Sequence, residues 1–209
     1  MLTSGIKSKP VYEPLRADTS GRFHLMLGLG TGLGALARVV DELAATLPDS
    51  LNRTRALLAP NDIFGGHAHD ATSLARLHAS ARGGILIFED SSTLLRECRS
   101  ILEQSLMGTR LYLAGPESFI GLAMQMALEF NLNRDEIRAE ESGTLARRVY
   151  CVHCRATTEA VRTNIVSCRQ CARWLLVRDH YSRRLAAYMG VMVDAEAPGE
   201  IPPINEVYA

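Results

Sequence analysis

The chain has 209 residues, which at roughly 100–150 residues per domain leaves room for one full domain and a small module. Hydrophobic residues make up 47% and charged residues 22%, and 23 basic side chains balance 23 acidic ones, so no net field draws nucleic acid or an anionic membrane. No apolar run approaches about 18–20 residues, and the opening MLTSGIKSKPVYEP lacks a secretory signal, so a cytoplasmic protein without membrane spans is expected.

Residues 1–21 are polar, contain Pro10 and Pro14, and read as an extended arm. FHLMLGLG is a short apolar strand, followed by a glycine-rich turn and the helical period of ALARVVDELAATL. TRALLAP is a second strand that stops at Pro60, and a helix is expected over 72–79. GGILIFED, at 83–90, reads as a third, buried strand, and SSTLLRECRSILEQSL as a helix whose serines cap its start. RLYLAG is a fourth strand, PESFIGLAMQMALEFNL a helix with Pro116 in its first turn, and EIRAEES a fifth strand. Strands alternating with helices predict a parallel sheet, so residues 22–142 are expected to form an α/β, nucleotide-binding-like domain.

The composition changes at about 141–148. Between residues 143 and 190 nine arginines face only Glu159 and Asp179, a local excess of +7, and the segment 191–209 carries Asp194, Glu196, Glu200 and Glu206 with no base. Within 143–190, CVHC and CRQC supply Cys151 with Cys154 and Cys168 with Cys171, separated by 13 residues. Each C-x-x-C knuckle can offer two thiolates to one ion, and the loop between them brings the pairs together into a closed tetrahedral site. Disulfides are disfavoured in a reducing compartment. The expected cofactor is one metal ion, zinc as a structural element or iron as the alternative. Rubredoxin-type iron knuckles carry glycine after the second cysteine, whereas Arg155 and Ala172 stand there, a departure that counts against the rubredoxin reading while the spacing leaves the metal open. His153 is expected to face solvent, His67, His69 and His78 to be loop or helix residues without a metal, Cys98 to be a small buried side chain, and Trp174 to cover the metal.

The turn Gly28, Gly30, Thr31, Gly32, Gly34 follows a strand and opens a helix, where backbone N–H groups can hold a phosphate or other anion. A dehydrogenase-type dinucleotide site needs an acid at the end of the second strand, and this one ends Leu58, Ala59, Pro60. The same gap counts against a methyltransferase. The competing reading is a tight turn whose glycines only let strand and helix pack closely, and anion binding by residues 28–34, with Gly115 and Pro116, stays open.

The run LYLAGPESFIGLAMQMALEFNLNRDEIRAEES resembles the last strand, loop, helix and strand of the ferredoxin reductase nucleotide domain, with Gly115 and Pro116 in the place of its Gly-Pro, and the glycine loop resembles that family's first turn. The family's cysteine before Gly-Pro is Ala114 here, and 21 residues stand where its flavin domain would precede. Both departures count against NADPH binding, and the chain is expected not to be catalytic alone. GTRLYLAGPESFI, TLARRVYCVHC and SRRLAAYMGV make the chain resemble the small (gamma) subunits of bacterial dimethylamine monooxygenases. That resemblance implies an accessory or electron-relaying subunit, partnered by larger catalytic subunits, in an NADPH-dependent demethylation of dimethylamine to methylamine and formaldehyde. His180, Arg183, Arg184 and Tyr188 are candidates for docking such a partner, the alternative being a solvated basic turn. The competing function is a zinc-ribbon protein- or nucleic-acid-binding module on a degenerate nucleotide fold. Few aromatics accompany the arginines, and the charge of a divalent metal with four thiolates cuts the local excess to about +5, which counts against nucleic acid.

Overall fold

The computed structural model describes residues 8–61 and 71–208. His67 and His69 lie outside these residues. The chain divides into two compact units, Tyr12–Gly143 and a second made of Met1–Val11 with Thr144–Ala209.

The first unit alternates strand and helix: β1 (Phe23–Leu29), α1 (Leu33–Thr46), β2 (Thr54–Ala59), α2 (Ala71–Ser80), β3 (Ile85–Ile87), α3 (Ser91–Glu103), β4 (Thr109–Gly115), α4 (Glu117–Glu129) and β5 (Ile137–Glu141). The five strands form one parallel sheet in the order β3-β2-β1-β4-β5. Alternation along β1 explains its two buried faces. Leu25, Leu27 and Leu29 join Leu94, Cys98, Phe119 and Ile120 from α3 and α4. Met26 and Leu58 join Leu33, Leu36, Val40 and Leu43 of α1 and Leu77 of α2. The α1 residues recur at the three- and four-residue spacing of a helical stripe.

Three local expectations are corrected. β3 is not buried: Leu86 and Ile87 are 39% and 53% exposed, because the strand lies at the sheet edge with β2 as its one partner. The cap of α3 is Asp90 rather than a serine, its Oδ1 accepting from the Thr93 N–H at 2.8 Å, with Ser92 Oγ donating to the same oxygen. Pro116 sits one place before α4, in extended backbone, and its carbonyl accepts from the Phe119 and Ile120 N–H groups. Residues 12–22 contain no helix or strand, yet Leu15 is 1% exposed in the α1-side core and its N–H donates to Glu140.

The second unit contains β6 (Arg147–Cys151), β7 (Thr157–Val161), β8 (Ile165–Ser167), β9 (Trp174–Ser182) and β10 (Ala187–Met192), in the order β7-β6-β10-β9-β8. β6 and β10 run parallel and the other neighbours antiparallel. The β9–β10 register shifts between Tyr181 and Val177, which leaves Arg178, Asp179 and His180 in a bulge. Ser8 fills it: its N–H donates to the Asp179 carbonyl, its hydroxyl donates to the Tyr181 carbonyl and accepts from the Tyr181 N–H. The core is thin, a cluster of Val149, Val161, Val177, Tyr181 and Tyr188 beside a smaller one of Cys151, Cys168 and Leu175. A core this small is the kind that a cross-link or a metal ion completes.

Candidate metal centre

Each knuckle is the turn of an antiparallel hairpin, β6 into β7 and β8 into β9. The two turns are built alike. Cys151 donates its N–H to the Ala156 carbonyl at 2.8 Å and accepts from the Arg155 N–H at 2.9 Å. Seventeen residues on, Cys168 donates to the Arg173 carbonyl at 2.8 Å and accepts from the Ala172 N–H at 3.0 Å. Closing each turn puts Arg155 at φ 67° and Ala172 at φ 57°, the left-handed region that disfavours residues with a Cβ. The glycine missing after each second cysteine therefore does not alter the knuckle. Arg155 and Ala172 adopt the glycine conformation, so this departure does not separate zinc from iron.

The result is a cluster in which the sulfurs of Cys151, Cys154, Cys168 and Cys171 all lie within 4.8 Å of one another. Cys151 Sγ is 3.8 Å from Cys171 Sγ, and Cys154 Sγ is 3.5 Å from Cys168 Sγ. A tetrahedral ion with metal–sulfur bonds of about 2.3 Å sets its ligand sulfurs about 3.8 Å apart, so the donors fit one metal ion. The backbone N–H of Ala156 points to Cys154 and that of Arg173 to Cys171. The Arg173 N–H, joined by its guanidinium, outweighs desolvation and lowers the Cys171 thiol below its ordinary value, whereas at Cys154 the Ala156 N–H is outweighed by burial and the neighbouring cysteine sulfurs, which raise the thiol. Cys151 and Cys168 are buried, whereas Cys154 and Cys171 are half-buried, leaving one edge of the centre near solvent.

Apolar packing against the cysteines comes from Leu175, Val166 and Ala156, not from Trp174, which is half-buried on β9. His153 is exposed, and His78 is exposed on α2. Cys98 is buried in α3 with its thiol pushed up to about 12 by burial, an inert core group.

The glycine loop lies at the C-terminal ends of β1 and β4, where the strand order reverses. There the structure brings Gly32 against Gly115. A Cβ on Gly32 would stand 2.5 Å from the Ala114 carbonyl carbon and oxygen and 2.9 Å from the Gly115 nitrogen. A Cβ on Gly28 would meet Leu36 at 2.6 Å. Gly30 has φ 47°, Thr31 is exposed, and Gly34 has only Ser73 Oγ nearby, at 3.8 Å. After Pro116, α4 opens with Glu117, an acidic residue of the first turn that is 5% exposed. Of the docking candidates, Arg183 and Arg184 are exposed between β9 and β10, and His180 is half-buried in the bulge. Tyr188 is 2% exposed in the core and offers no surface.

Residues 4–137 match the N-terminal domain of the family described as dimethylamine monooxygenase subunit DmmA-like, and residues 148–191 match its C-terminal domain. The chain belongs to this family. Among its relatives is the delta subunit of a heme-dependent oxidative N-demethylase from Ectopseudomonas mendocina (strain ymp), 39% identical over 97 residues. That alignment covers 46% of this chain and 55% of the relative, so the chain spans about half the length of the curated relative it matches. Two solved structures are similar at lower identity. The ferredoxin reductase of carbazole 1,9a-dioxygenase, in its FAD apo form, is 17% identical over 63% of this chain and 35% of its own, with a TM-score of 0.42. A cytochrome P450 reductase of Amycolatopsis is 16% identical over 59% and 38%, with a TM-score of 0.41. No helix among the described residues is long and apolar enough to cross a membrane.

Proposed function

We propose that this family member is a metal-bearing accessory subunit of a multi-subunit dimethylamine monooxygenase, with zinc in the four-cysteine centre. The observation that carries the reading is the closed donor set. Four thiolates fill a tetrahedral ion and leave no position for substrate or water, the mark of a structural rather than a catalytic site. The thin core beside it explains what the metal is for: it completes a unit with little apolar burial of its own. The reaction served is the NADPH- and oxygen-dependent demethylation of dimethylamine to methylamine and formaldehyde, carried out on larger subunits in the cytoplasm, where the cysteines stay reduced. Within this chain, the glycine loop acts as packing. Gly32 closes directly on the end of β4, and NADPH turnover is assigned to the larger subunits.

One observation favours a second reading, an iron centre that relays electrons. Cys154 and Cys171 are half-buried and each receives a backbone N–H, so an edge of the centre lies close to solvent. Metal analysis of protein from its native source separates the two. Colourless protein with one zinc supports the accessory role and rejects relay, whereas red protein with one iron supports relay. Co-purification with the larger subunits tests the shared claim.

A further inference from the structure

We infer that the tips of the two metal knuckles form a docking face for an acidic protein surface, carried by one of the larger subunits. This rests on the accessory-subunit reading and names the face it uses.

The two tips end in exposed residues: Val152, His153 and Arg155 on the first, Arg169, Gln170 and Ala172 on the second. Both are held rigidly. Each is pinned by two backbone hydrogen bonds at its first cysteine and by the left-handed residue after its second. Such a surface loses little freedom on binding. Val152 is 46% exposed in the turn between its two cysteines. An apolar spot with arginines at its rim has the make-up of an interface.

Charge selects the partner. Three arginines of this unit are matched to acids: Arg147 to Asp179, Arg148 to Glu159 and Arg162 to Glu206. Arg155 and Arg169 form no ion pair among the described residues, and both face solvent. A metal bound to four thiolates would place its negative charge beneath the tips, where Arg173 and the knuckle N–H groups face the sulfurs. The rim arginines are therefore left for an external carboxylate. Arg183 and Arg184 lie at the other end of the β9–β10 hairpin, where Ala187 pairs with Ser182, whereas Met192 pairs with Leu175 at the metal end. At about 3.3 Å per strand residue that is on the order of 20 Å away, so the two basic surfaces can be tested separately.

The test titrates the purified chain against the larger subunits of its oxygenase, prepared without it, at low and high salt. The double variant R155E/R169E should bind about tenfold more weakly at low salt, with the difference shrinking at high salt and the metal content unchanged. R155K/R169K should retain most of the affinity, and R183E/R184E should bind like the parent. Unchanged affinity in R155E/R169E, with the parent complex formed, overturns the docking face and leaves the accessory role standing. So does a loss confined to R183E/R184E, or displacement of the subunits from the tips by added duplex DNA or RNA. A parent chain that binds none of the larger subunits overturns both.

Discussion

The guanidinium of Arg147 lies 3.8 Å from the ring centre of Tyr208 and donates from Nη1 to the Tyr208 hydroxyl at 2.9 Å. The same guanidinium stands 4.0 Å from the ring centre of Tyr188 and donates from Nη2 to Asp179 at 2.7 Å. Arg147 is thus a buried cation satisfied by two rings and a carboxylate, and one of those rings comes from the end of the chain. The backbone follows it: the Val207 and Tyr208 N–H groups donate to the Arg162 carbonyl, and Glu206 bridges to Thr163.

Tyr208→Ala removes the stacking and the hydrogen bond from a unit with little other core. The expected cost is about 2 kcal/mol, the sum of a partly desolvated cation–π contact and one hydrogen bond. Tyr208→Phe keeps the ring and should cost about 1 kcal/mol. Denaturant titration of the two variants checks both the size and the order.

Metal removal should separate the two units. Binding of a structural zinc ion is worth about 10–16 kcal/mol in small domains, more than a core of this size supplies. Chelation, or Cys151→Ser at a buried ligand, should abolish amide protection across β6 to β10 while β1 to β5 stay protected. Hydrogen exchange read segment by segment measures this, and protection that persists in β6 and β9 without metal would count against a structural role.

Ala172 is held at φ 57° with its side chain exposed, so its Cβ brings strain and no packing. A left-handed residue with a Cβ costs roughly 1–2 kcal/mol, and glycine gives back about 0.5–1 kcal/mol through its freer unfolded chain. Ala172→Gly should therefore stabilise the metal-bound unit by about 0.5–1 kcal/mol. The chelator concentration needed to strip the metal should rise with it.

The metal centre was legible because C-x-x-C spacing is local chemistry: two sulfurs on one turn need nothing from the rest of the fold. The order of strands and helices was legible through periodicity, as Leu25, Leu27 and Leu29 on β1 show against Leu33, Leu36, Val40 and Leu43 on α1. What escaped depends on distant pairing. GGILIFED is apolar enough for a central strand, but the sheet order places it at an edge. Tyr188 reads as a surface residue within an arginine-rich run, yet the Arg147 guanidinium and the Tyr181 ring pack against it in the core. The left-handed backbone of Arg155 and Ala172 was hidden for another reason: hydrogen bonds of the knuckle impose it against the preference of both residues.

Gly32 and Gly34, two glycines of the same loop, differ in the room around them. Gly32→Ala drives a Cβ to 2.5 Å from the backbone of Ala114, which cannot swing aside as the end of a flexible side chain can. It should destabilise the first unit by roughly 2–4 kcal/mol, the range of severe overpacking. Gly34→Ala meets nothing closer than 3.8 Å, lies inside α1, and should be neutral or stabilising by up to about 1 kcal/mol. Thermal unfolding of both variants tests the packing reading of the loop, and equal effects would refute it.

Asp18 ties residues 12–22 to the sheet. Its Oδ2 accepts from Arg110 Nε at 3.0 Å and from Arg138 at 3.1 Å, and its Oδ1 accepts from the Ser20 hydroxyl and N–H. Burial alone would raise the carboxyl, but the Ser20 bonds, with Arg138 and Arg110, outweigh it and hold Asp18 well below the usual carboxylate range. A carboxylate depressed in the folded state contributes stability that is fully present above its unfolded value of about 3.9 and is lost as pH falls below it. Asp18→Asn should cost roughly 2 kcal/mol at pH 7, the worth of hydrogen bonds to a charged group. Its stability should then decline less steeply than the parent's below about pH 4, so that the two curves converge in acid. Denaturant midpoints measured from pH 7 to pH 3 give both numbers, and parallel curves across that interval would assign the acid sensitivity to other carboxylates.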